Sequence, residues 1–233
     1  MTALADLIDF LAASPSPWHV VSTAADRLSA AGFEPIELDA PWSDVPRRGL
    51  PARGFAVRGA ALVAWSRGVS AEPGSPLRLV GAHTDSPGLR IKPRPDTGGV
   101  GWKQLGVEMY GGALINSWLD RDLGIAGRVE MADGSSIDVC IDEAVCRVPQ
   151  LAIHLDRDVN ERGLILDKQQ HLTPVWGSGS ARAGEFADWL AGRLGASTSS
   201  ISTWDLCLFD RTPPAILGGD DSLLAAGRLD NQL

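Results

Sequence analysis

A change of period near residue 87 constrains the fold more than any other feature of the chain. Upstream, Leu4, Leu7, Ile8 and Leu11 recur at i, i+3, i+4 and i+7, one apolar helix stripe that the Ser14-Pro15-Ser16-Pro17 run stops. Val21, Ala24, Ala25, Leu28 and Ala31 repeat that period up to Gly32, a residue that tolerates the left-handed backbone of a helix end. The run from Gly54 to Trp65 is broken at Arg58-Gly59, and LRLVGAH then predicts a short buried strand ending at His83. Beyond Pro87, glycine and proline become frequent and apolar residues alternate. Asp133-Gly134 sits between two alternating segments, 127–132 and 136–141, as a hairpin turn would. Phe186, Trp189, Leu190 and Leu194 mark a late amphipathic helix, and 201–209 alternates like a strand. The pattern predicts an α/β chain in which a mostly-β unit, roughly 88 to 215, is inserted.

Composition narrows the class. Hydrophobic residues at 44% and charged residues at 21% fit a globular protein rather than a disordered, collagen-like or membrane chain. With 21 basic against 29 acidic side chains, a net charge of −8 gives no electrostatic reason to bind nucleic acid or an anionic membrane surface. Asp6 and Asp9 stand where a signal peptide carries basic residues, and no apolar run is long enough to span a bilayer. Cys140, Cys146 and Cys207 are odd in number and lack CxxC spacing, so neither a disulfide framework nor a cysteine zinc knuckle is expected. These features place the chain in the reducing cytoplasm.

His83 and Asp85 are two apart at the end of the predicted strand, and in extended backbone such side chains share a face. An imidazole beside a carboxylate suits a metal ligand with the group that orients it. Read alone, His-Thr-Asp-Ser-Pro also fits a surface turn with Asp85 as a capping acceptor. His19, His83, His154 and His171 form no spaced ligand cluster, so a metal site would need ligands from further along the chain. His154, in LAIHL, fits a packed structural residue; His171 fits a loop, and His19 fits packing or capping of the second helix. The 177–180 Gly-Ser-Gly-Ser segment lacks the lysine of a phosphate-binding loop, and GGALINS lacks a nucleophile elbow.

Taken in order, SPSPWHVV, GAHTDSPGLRIKPRP, GWKQLGVEMYGGALINSWLDRDLGIAGRV, VPQLAIHLDRDVNERG with QQHLTPVWG, and GRLDN resemble the aspartyl aminopeptidase family of dinuclear zinc metallo-aminopeptidases. The resemblance covers residues 4 to 233, the N-terminal half of a family member. It implies an incomplete zinc-peptidase α/β sandwich, residues 1–87, interrupted by an inserted mostly-β dimerisation domain, 88–215, with a return to the catalytic domain at 216–233. His83 would then be a metal ligand, Asp85 the carboxylate that orients the site, and Asp230 the carboxylate bridging two zinc ions, with a cis peptide at Asp230-Asn231. His154 would serve the active site of a neighbouring subunit, in dimers that build a dodecamer. The implied reaction is release of N-terminal residues, acidic ones foremost, from peptide substrates. The general base and remaining ligands would lie beyond Leu233, so this stretch alone is expected to be inactive. The alternative is a truncated, non-catalytic oligomerisation or interaction protein.

Overall fold

The computed structural model describes residues 2–38, 50–68 and 75–229, which fall into two compact units: one running to Asp85, the other Ser86–Leu229.

The first unit opens on α1 (Ala3–Ala12), capped by the Thr2 hydroxyl, which accepts from Ala5 N, and on α2 (Pro17–Ala30), with Ser16 as cap and Pro17 in the first turn. Arg27 joins the two helices: its guanidinium donates to the Asp6 carboxylate at 2.9 Å and to Asp6 O at 3.0 Å, and lies over the Phe10 ring. A small sheet follows, β1 (Glu34–Pro35) parallel to β2 (Arg53–Arg58), and β2 antiparallel to β3 (Ala61–Ser66). The break read at Arg58-Gly59 is the β2–β3 turn, where Gly59 takes φ +60°. Among the described residues of this unit, Val21 and Phe55 are its buried hydrophobic side chains.

One expectation fails here. Residues 77–83 form no strand, and Leu77, Leu79 and Val80 are 84%, 89% and 98% exposed. Their chemistry suits a buried strand, but a strand exists only by pairing, and no described segment pairs with them.

The second unit is built on β4 (Gly88–Gly99), β5 (Trp102–Tyr110), β6 (Leu123–Met131), β7 (Ser136–Cys146), β8 (Val175–Ser178) and β9 (Ile201–Asp210). They form one antiparallel sheet in the order β7-β6-β9-β4-β5-β8. The short helix α3 (Val159–Arg162) lies in the β7–β8 connection, and α4 (Glu185–Leu194) between β8 and β9. Alternation decides the faces: Ile141, Ile125, Leu208 and Leu89 point into the core, where Phe186 and Leu190 of α4 meet them. Trp176, Trp189 and Trp204 pack edge-on or tilted around Phe186. The N-terminus of α4 is capped from a distance, the Asp96 carboxylate accepting from Gly184 N and Phe186 N at 2.8 Å each. The β6–β7 hairpin turns at Asp133-Gly134 as expected, with Gly134 at φ +85°. At Gly127 a Cβ would lie 2.0 Å from Asp205 O, so the crossing of β6 and β9 admits only glycine.

The second compact unit runs to Leu229. Its last strands, β10 (Ala215–Leu217) and β11 (Leu223–Ala225), pair as a hairpin. The chain then returns to the end of β9, where the Arg228 guanidinium lies over the Phe209 ring and donates to Asp210 O.

Candidate functional site

His83 and Asp85 meet as their spacing predicts. His83 Nδ1 lies 3.0 Å from Asp85 Oδ1 and 2.7 Å from Asp85 O. A carboxylate and a carbonyl both only accept, so Nδ1 must carry the proton and Nε2 the lone pair. That tautomer is the one a metal ligand needs, with the carboxylate fixing the plane of the ring. Both side chains are about one-third exposed. Thr84, between them, donates from Oγ1 to Ala60 O at 2.7 Å.

The other histidines divide differently. His19 Nδ1 bonds the Ser16 hydroxyl at 2.7 Å inside the cap of α2, as read from the sequence. His171 Nδ1 accepts from Asp167 N at 2.9 Å within a turn, a loop role also as expected. His154 departs from the packed-strand reading: it is exposed in a turn, between the exposed Ile153 and Leu155. Apolar neighbours in sequence suggested burial, but 151–155 pairs with no strand among the described residues, so its side chains stay at the surface. Asp230, and with it the Asp230-Asn231 peptide, lies outside the described residues.

The thiols offer no alternative centre. Burial pushes the Cys146 and Cys207 thiols up to about 12, so neither supplies a thiolate near neutral pH. None of the three cysteines forms a disulfide.

The donor chemistry therefore fits zinc in part: His83 offers an imidazole whose Nδ1 is bonded to Asp85, and no group of three potential ligands assembles among the described residues. Across residues 10–233 the chain matches the family described as aminopeptidase I zinc metalloprotease (M18). It belongs to that family. Probable M18 family aminopeptidase 2 of Streptomyces avermitilis is 52% identical over 229 residues, covering 98% of this chain and 52% of the relative. The chain thus spans about half the length of the curated relatives it matches. Among solved structures, a chain in the cryo-EM structure of the Ape4 and Nbr1 complex superposes with a TM-score of 0.84 at 30% identity, over 94% of this chain and 46% of that one. Chaetomium thermophilum mApe1 gives 0.83 at 28% identity, over 97% and 54%. These neighbours share the fold of the M18 chain, a partial α/β peptidase fold with a mostly-β sheet region.

The residue that sequence reasoning missed at the site is Thr84. Its partner Ala60 is 24 positions away, and no periodicity or motif links the two.

Proposed function

We propose that this M18 chain forms part of a metal-dependent aminopeptidase that releases N-terminal residues, acidic ones foremost, from peptides. The observation that carries the reading is the His83–Asp85 pair, with Nδ1 committed to the carboxylate and Nε2 left as the donor. Zinc, when bound, supplies Lewis-acid polarisation of the scissile carbonyl. His83 would hold the ion, Asp85 would fix the ring, and Asp230 would be a further carboxylate ligand. The resemblance in GRLDN supports the last assignment. Residues before about 88 and from 216 onward belong to the peptidase domain in this reading, with 88–215 inserted for dimerisation.

Self-association, through dimers toward a dodecamer, belongs to the same proposal. Leu114, Leu151, Leu155 and Ile165 of the second unit are 76%, 62%, 72% and 79% exposed, apolar surface that a neighbouring subunit would cover. His154 stands among them and would act in the neighbour's active site. A cytoplasmic setting is supported by cysteines that form no disulfide, and no described helix is long and apolar enough to cross a membrane.

A second reading, a non-catalytic self-associating protein, draws on the missing three-ligand cluster among the described residues. Aminoacyl substrates separate the two. The full-length polypeptide should hydrolyse them in a chelator-sensitive way and lose that activity in His83→Ala and Asp230→Ala, while the 233-residue chain alone is inactive. Chelator-insensitive turnover, or no turnover by the metal-loaded full-length protein, would sink the enzymatic reading.

A further inference from the structure

Thr84 stands at a bend between His83 and Asp85. There its hydroxyl donates to Ala60 O at 2.7 Å. Ala60 follows Gly59 in the tight β2–β3 turn, whose backbone takes φ +60° at Gly59. That turn lies near α2: a Cβ added at Gly59 would come within 3.7 Å of the Trp18 ring. One hydrogen bond therefore ties the β2–β3 turn to the residue between His83 and Asp85. Residues 77–82, which lead into the site, take part in no β-ladder among the described residues. The Thr84 hydroxyl provides anchorage of the kind a ladder would otherwise give.

We propose that Thr84 is a positioning residue for the metal site, holding the His83–Asp85 loop at the depth and angle at which Nε2 can bind an ion. The inference rests on the reading of His83 as a ligand. A hydrogen bond that orients a ligand from outside the coordination sphere is commonly worth ~10–100-fold in metal affinity. Loss of a tether one residue removed from the ligand belongs at the lower end of that range.

The test uses the full-length protein, with zinc as the probe and a competing chelator to read its affinity. Thr84→Val keeps the shape and removes the donor, and should bind zinc about tenfold more weakly. Thr84→Ser restores the donor and should bind like the parent, while Thr84→Cys, a weaker donor, should fall between them. Unfolding of the metal-free proteins is followed in parallel, because a purely structural threonine would lower stability and leave zinc affinity unchanged. Parental zinc affinity in Thr84→Val, alongside loss of zinc in His83→Ala, overturns the role of Thr84 and leaves the ligand assignment standing. Zinc retained by His83→Ala overturns the ligand assignment and the inference with it. If Thr84→Val does not fold, the order of Ser and Cys decides, and equal affinity in those two overturns the proposal.

Discussion

Residues 77–80 and β9 are built from similar aliphatic side chains and meet opposite fates. Leu77, Leu79 and Val80 are 84% or more exposed, whereas Leu206 and Leu208 are 0% and 3% exposed. β9 lies between β6 and β4, so its inward side chains are covered by two neighbours and by α4. Residues 77–80 have no such neighbours among the described residues. The whole buried cluster, from Leu89 to Leu208, belongs to the second unit, while the candidate metal ligand belongs to the first. The second unit thus carries its own core, whereas among the described residues of the first Val21 and Phe55 are the buried hydrophobic side chains.

The sharpest way to break that contrast is a pair of truncations in the 233-residue chain. Phe186 is fully buried and ringed by three tryptophans, so Phe186→Ala should cost ~3–5 kcal/mol in denaturant unfolding. Leu79→Ala, at an exposed position, should change stability by less than ~0.5 kcal/mol. Comparable losses from the two would show that residues 77–80 are packed after all.

A smaller effect of opposite sign is expected at the β4–β5 turn. Val100 and Gly101 form its two-residue tip with φ of +53° and +81°, and the Val100 side chain is fully exposed. A β-branched residue is strained there, and asparagine favours that conformation. Val100→Asn should therefore stabilise the second unit by roughly 1 kcal/mol, since the valine makes no packing contact that is lost. A lower unfolding midpoint in Val100→Asn would show that the tip is held by contacts its exposure does not reveal.

The smallest expected effect is acid sensitivity around α4. Hydrogen bonding to Lys103 holds the Glu185 carboxyl below its usual value of 4.5, and Arg182 with Thr198 holds Asp188 below 3.8. Arg193 does the same for Glu143. Because the folded-state values are depressed, the stabilisation is present above the unfolded values and is lost as pH falls through the folded ones. Asp188 and Glu143 are exposed and Glu185 is part-buried, and the contribution of such surface pairs is modest. Glu185→Gln should shallow the loss of stability below pH 4.5; an unchanged acid profile would contradict the assignment.

How legible each region was follows from the range of the interactions that make it. α1, α2 and α4 show in the sequence because their apolar stripes repeat within a single element, and the β6–β7 hairpin because Asp133-Gly134 specifies its own turn. The Asp96 cap on α4 does not show, since donor and acceptor lie 90 positions apart at Phe186. The expected strand at 77–83 fails for a related reason: alternation and branching report what a side chain would do in a sheet, and say nothing of whether a neighbour is there. At the site, the His83–Asp85 pair was readable from i, i+2 geometry, and the Thr84–Ala60 tie was not. Apolar neighbours in LAIHL suggest a packed strand around His154, but without a pairing segment among the described residues they lie in an exposed turn.

Zinc content of the full-length protein tests the central claim most directly, measured by elemental analysis on the parent, His83→Ala and His171→Ala at matched fold. His171 is committed to Asp167 N in a turn, whereas His83 presents Nε2 with Nδ1 held by Asp85. His83→Ala should lose bound zinc while His171→Ala retains the parental amount. Parental zinc in a folded His83→Ala protein would contradict the account.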